Sequence, residues 1–154
     1  MSSLTLTARG FSNLNYRLAT LNDIDNICSF VSEVIKQMEN KGIYQWDSLY
    51  PAREDFYIDI NKKALYIAED GHKFAAIYVI HRLCVAPSFQ NKGIGKQVLK
   101  HIEEQAAKLS YTSARLDVYA QNSYALKMYI HSGYEKRGFA DWRKGRFILM
   151  EKAL

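Results

Sequence analysis

The chain has 154 residues, of which 48% are apolar and 24% charged, a globular composition that excludes disordered or collagen-like structure. It holds only two cysteines, Cys28 and Cys84, with no CxxC spacing, which excludes a disulfide scaffold or cysteine-rich zinc module and fits a reducing cytoplasm. The net charge of +5 is scattered from Arg9 to Lys152, so neither a nucleic-acid partner nor a membrane partner is expected. No apolar run approaches a membrane span, and the opening residues lack a signal-peptide core. The expectation is one soluble intracellular domain over 1–154, its core about 14–154.

In chain order, Tyr16–Ala19 reads as a first strand and Asn22 or Asp23 as a helix cap. Ile24, Ile27, Cys28, Val31, Val34, Ile35 and Met38 then form one apolar helix face, ended by Gly42. Cys28 belongs most simply to that face. An aromatic connector follows, in which Tyr44 and Trp46 are either plain packing or the wall of a substrate pocket. Pro51 suits the first turn of a second helix over Ala52–Ile60.

Ala64–Ala68 reads as a strand and Asp70-Gly71 as a hairpin turn. Phe74–Val85 then runs twelve residues without a turn residue, about twice a typical strand. After Pro87 comes a loop with two glycines, then an amphipathic helix carrying Val98, Leu99, Ile102, Ala106 and Leu109. Arg115–Tyr119 alternates as a strand, Ser123–Ser132 is helical and capped by Gly133, and two strands meet around Lys144-Gly145. Helices and strands interleave, so the class is mixed α/β around a sheet.

The loop between Val85 and Lys96 carries the chemistry. Free N–H groups and the dipole at a helix start form an anion site, and Gly93 and Gly95 remove Cβ atoms that would hold a phosphate away. Lys92 and Lys96 add positive charge. A Walker loop is excluded because Gln97 follows Gly95-Lys96, and a dinucleotide fingerprint fails because Val98 stands at its third glycine. Two glycines alone leave a bland strand–helix turn open.

Gln90-x-x-Gly93-x-Gly95, preceded by Leu83-x-Val85-x-Pro87, resembles the signature of the GCN5-related N-acetyltransferases (GNAT). Arg115–Tyr119, then Asn122, Ala125, Tyr129, Gly133 and Tyr134, resembles the family's later strand and helix, and the opening half resembles a bacterial branch of it. The resemblance implies an α/β (α+β) GNAT fold, a central mixed, mostly antiparallel sheet flanked by helices and splayed at the acetyl-coenzyme A site. It implies acetyl-coenzyme A as co-substrate, no metal, and direct transfer to a primary amine. The pyrophosphate would sit on Gln90, Asn91, Lys92, Gly93, Ile94, Gly95 and Lys96, and the pantetheine arm along Leu83, Cys84 and Val85. Cys84 is then a strand residue rather than a nucleophile.

Asn122, Ala125 and Tyr129 stand at i, i+3 and i+7, sharing one helix face. By spacing alone Tyr129 is as well a core aromatic, like Met128 and Ile130. The resemblance makes Asn122 a pantetheine ligand and Tyr129 the general acid. An acceptor amine must also lose a proton, for which His81, Glu69 and Asp117 are candidates, His81 first because some amine-acetylating relatives carry histidine there. The acceptor is a small-molecule or peptide amine, Tyr44 and Trp46 are expected to help bind it, and a homodimer is allowed. A non-catalytic coenzyme A sensor is the alternative; it would need no proton donor.

The family reverses direction twice between its second strand and the phosphate loop, whereas Asp70-Gly71 is the only turn signal here. The expectation is therefore a segment lost near Ile80–His81 or, failing that, a rearranged sheet.

Overall fold

The structure, a computed structural model, describes residues 14–79 and 82–154. Strand β1 (Asn15–Leu18) leads through a 3-10 turn into helix α1 (Ile24–Asn40), and α2 (Arg53–Asn61) follows the connector. Strands β2 (Tyr66–Asp70), β3 (Lys73–Val79) and β4 (Arg82–Val85) precede helix α3 (Ile94–Lys108). Strand β5 (Ser113–Tyr119), helix α4 (Ser123–His131) and strands β6 (Glu135–Trp142) and β7 (Gly145–Ala153) complete the chain. No helix of the described residues is long and apolar enough to cross a membrane.

The strands form two antiparallel sheets, ordered β1-β2-β3-β4 and β5-β7-β6. The parting falls between β4 and β5, each an edge of its own sheet among the described residues. Residues 75–79 of β3 are buried without alternation, because both faces of this central strand are covered. Ala75, Ala76 and Ile77 meet Ile27 and Val31 of α1, Phe56 and Ile60 of α2, and Val98 of α3 in one core. A second cluster of Leu99, Val118, Tyr134 and Met150 ties α3 to the other sheet.

The long apolar run divides into two strands, β3 and β4. Val79 pairs with Arg82 across them, antiparallel, so the chain reverses between them and the sheet is not rearranged. The lost segment expected near Ile80–His81 falls on residues 80 and 81, which lie outside the described residues. The composition hides the reversal because strands on both sides of it are core strands. Since β2 and β4 both run against β3, the loop after Val85 leaves from the same end of the sheet as Asp70.

Two smaller expectations change. Pro51 stands ahead of the α2 N-cap, Ala52, whose N–H donates to Asp55 Oδ2 at 2.7 Å. Ile130, expected in the core, is 47% exposed.

Candidate active site

The loop after β4 is pinned before it turns. Ala86 N–H donates to Ala75 O, Pro87–Phe89 makes a 3-10 turn, and the Phe89 ring is buried. Asn91 and Gly93 then take left-handed conformations, with φ of +58° and +80°. Gly93 is the α3 N-cap and has no side chain to offer, and the first helical bond there is Gln97 N–H to Gly93 O. The N–H groups of Ile94, Gly95 and Lys96 therefore point out of the helix end without an intrahelical acceptor. A Cβ on Gly93 would meet nothing within 4 Å, so this end is open.

Gly95 has a different reason to be glycine. A Cβ there would lie 2.8 Å from Met128 Sδ, so its absence lets the end of the Met128 side chain on α4 lie close against α3. Of the two basic side chains, Lys92 Nζ donates to Ser88 O at 2.7 Å, whereas Lys96 is exposed. Gln90 Nε2 donates to Val85 O at 3.0 Å. That bond fixes how β4 faces. In an antiparallel strand alternate residues turn their N–H and C=O to opposite sides, so Leu83 and Val85 present theirs to the free edge. Cys84 turns its backbone to Ile77 and its side chain into the core, where burial pushes the thiol well above its ordinary pKa.

Helix α4 faces this edge. Asn122 is its N-cap, with Oδ1 accepting from Ala125 N–H at 3.1 Å and Nδ2 donating to Gln45 Oε1 at 3.3 Å. Its carboxamide is thus committed to capping and to the connector, one step before the helix face that Ala125 and Tyr129 share. Tyr129 stacks edge-on to Tyr134 at 5.6 Å and makes no hydrogen bond through its hydroxyl among the described residues. The residue keeps some exposure, but the phenol is pushed up to about 12, by burial first and then by the charges of Asp117 on β5 and Cys84 on β4. Tyr129 therefore stands where the two sheets part.

Asp117, whose charge acts on Tyr129, also lines a cavity of about 400 Å³. Trp46, Trp142 and Phe147 give it aromatic walls, and Arg82, Arg143 and Asp117 give it charge. Trp46 is 7% exposed and belongs to the wall; Tyr44 is 57% exposed and does not line the cavity. Asp47 ties the connector to the turn between β6 and β7. It accepts from the N–H groups of Leu49 and Tyr50 and pairs with both Arg143 and Lys144. Those cations hold its carboxyl well below the usual range.

Of the base candidates, His81 lies outside the described residues. Glu69 is engaged by Arg17 at 2.8 Å on the β1–β2 side, in a network that also holds Asp23 at about 2. Asp117 is on the cavity wall.

Residues 64–134 match the acetyltransferase (GNAT) family. By that match the segment from just before β2 to Tyr134 is that of a GNAT acetyltransferase domain. No curated protein matches the sequence. Solved structures resemble the chain over most of its length. A GNAT-family acetyltransferase from Streptococcus agalactiae is 18% identical, covering 94% of this chain and 97% of its own, with a TM-score of 0.81. The PaiA N-acetyltransferase of Thermoplasma acidophilum, solved with coenzyme A, is 19% identical, covering 92% and 99%, with a TM-score of 0.73. The ribosomal-protein-S18-alanine N-acetyltransferase of Escherichia coli is 15% identical, covering 92% and 94%, with a TM-score of 0.71.

The activity class that goes with this match is acetyl transfer from acetyl-coenzyme A. Of the cavity's lining, Trp46 and Asp117 were singled out from the sequence, whereas Gln45, Tyr50, Arg82, Trp142, Arg143, Lys144 and Phe147 were not. The one available signal was the run Trp142-Arg143-Lys144, aromatic and basic around a turn, which reads as an ordinary hairpin.

Proposed function

We propose that residues 14–154 act as one transferase domain that moves the acetyl group of acetyl-coenzyme A directly to a primary amine. The observation that carries this reading is Tyr129: a phenol without a hydrogen-bond partner among the described residues, held where β4 and β5 part and within the field of Asp117, which lines the cavity. The donor site fits its ligand on two further counts. The N-terminus of α3 offers unpaired N–H groups for a diphosphate, with Gly93 open beside them. The free edge of β4 offers the backbone of Leu83 and the N–H of Val85 to an amide-bearing arm, Val85 O being held by Gln90.

Bound there, acetyl-coenzyme A supplies an activated thioester. The amine nitrogen attacks the carbonyl carbon, a C–N bond forms, and the C–S bond breaks with its electron pair on sulfur. Tyr129 hands its phenolic proton to that sulfur, and the nitrogen loses one proton to a base or to water. A phenol near 12 opposite a thiol near 8.5 is a mismatch of about 5 kcal/mol. The same dry surroundings raise the thiolate's basicity too, which narrows the gap. Freeing an alkylamine at pH 7 costs about 4.6 kcal/mol. Asp117, on the cavity wall, would draw the ammonium in and pass its proton to water, with His81 as the other candidate base.

A thiol-release assay over a panel of amines, run beside calorimetry with acetyl-coenzyme A, tests the reading. Amine-dependent release of coenzyme A is the expected result. Binding without release for every amine would leave a coenzyme A-binding module instead. An acid limb near pH 6.5 that disappears in His81→Gln assigns the base to His81; a limb that disappears only in Asp117→Asn assigns it to Asp117.

A further inference from the structure

The cavity that Asp117 lines is unevenly charged in a way that acetyl transfer alone does not require. Arg143 and Lys144 converge on a single carboxylate, Asp47, at 3.2 and 2.8 Å, so two cations share one anion at the β6–β7 turn. Deeper in the wall stands Arg82, 6% exposed in its side chain. One of its nitrogens, Nη2, bonds Asp59, and its guanidinium lies 5.4 Å from the ring centres of both Tyr50 and Phe56. Its other terminal nitrogen, Nη1, is buried with no hydrogen-bond partner among the described residues. A buried guanidinium N–H without an acceptor is costly, and structures rarely keep one that nothing will satisfy. A planar anion is the natural partner for such a fork.

We infer that this cavity selects acceptor amines that also carry a carboxylate, such as an amino acid, the carboxylate meeting Arg82, Arg143 and Lys144. The inference rests on the transferase reading above and names its substrate class. The aromatic walls, Trp46, Tyr50, Trp142 and Phe147, suit an apolar or planar body between the two charged ends. The volume of about 400 Å³ is that of a small-molecule site, with room for a single amino acid. A polycationic amine would bring positive charge to an end already rich in it.

The two tryptophans of the chain, Trp46 and Trp142, both line the cavity, so intrinsic fluorescence reads its occupancy without turnover. The full chain with coenzyme A present is titrated with phenylalanine, methionine and lysine, each against its own carboxamide. At least one acid should bind about tenfold or more tightly than its amide, and the same acid should show the higher kcat/KM in thiol release. The double variant Arg143→Gln/Lys144→Gln, on an exposed turn, should collapse that ratio severalfold while calorimetric affinity for acetyl-coenzyme A holds. Arg82→Lys, which keeps the charge toward Asp59 and loses the fork, should lower the ratio as well. Equal binding of every acid and amide, or a ratio untouched in the double variant, overturns the inference. The two readings fail separately. Carboxylate preference without thiol release sinks the transferase reading alone, and release from amines without that preference sinks only this one.

Discussion

On the proposed reading, the donor side and the acceptor side are built by opposite means. The donor side is mostly main chain, the N–H groups at the start of α3 and the free edge of β4, with one phenol from α4. The acceptor side is side chains, gathered from the α1–α2 connector, β4, β5 and the β6–β7 hairpin. Backbone geometry follows from a short stretch of sequence and tolerates little change. A wall assembled from four distant elements can change one residue at a time without disturbing the fold, which suits the part of an enzyme that chooses its acceptor.

If that division holds, loss of the one donor-side group with a chemical role should have the largest effect and touch only turnover. Tyr129→Phe should lower kcat by about two to three orders of magnitude while leaving acetyl-coenzyme A affinity nearly unchanged, measured by thiol release and calorimetry. The pH dependence carries a sign of its own. A general acid works while protonated, and burial holds this phenol to about 12, so Tyr129 should cause no fall in kcat on the alkaline side below roughly pH 11. A descending limb at pH 8–9 that vanishes in Tyr129→Phe would contradict the raised value.

The two glycines sharpen the comparison further, because they stand two residues apart and do different things. Gly93→Ala puts a side chain at φ +80° with open space around it, which strains the loop by about 1 kcal/mol without a clash. It should lower Tm by a few degrees and weaken acetyl-coenzyme A binding by about tenfold or less. Gly95→Ala pushes a methyl against Met128 Sδ, the end of a flexible side chain, and should cost about 1 kcal/mol of stability, read as a drop in Tm. Relief of that drop by Gly95→Ala/Met128→Ala would tie the loss to the α3–α4 contact; loss of binding with intact stability would return Gly95 to the ligand.

How much of this was legible follows the same division. Gln90, Gly93 and Gly95 lie within six residues, and Tyr129 keeps its interval from Asn122, so a donor site could be proposed before any fold was known. What could not be read there was which glycine serves the ligand and which the neighbouring helix, since Met128 is remote in sequence. The turn of the meander could not be read because Val79 and Arg82 pair across a connection with no glycine, proline, asparagine or aspartate in it. Of the cavity wall, Trp46 and Asp117 were singled out, and the rest was invisible for a stronger reason. Arg82, Asp117 and Trp142 become neighbours only when two sheets meet around one cavity, and no local pattern records that.

The smallest effect tests the acceptor side without touching its lining. Asp47 is not in the cavity wall, but it bonds the N–H groups of Leu49 and Tyr50 and pairs with both Arg143 and Lys144. It therefore sets where the connector and the β6–β7 turn stand relative to one another. Asp47→Ala frees two cations and loosens one turn at the surface, where single ion pairs contribute little to stability. Tm should barely move, and so should affinity for acetyl-coenzyme A, because nothing on α3 or β4 leans on this residue. Acceptor KM, measured at saturating acetyl-coenzyme A, should change severalfold, with kcat close to that of the unaltered chain. If kcat fell and KM held, the connector would be part of the chemistry, and the separation of a main-chain donor site from a side-chain acceptor site would fail at the residue that joins the acceptor side together.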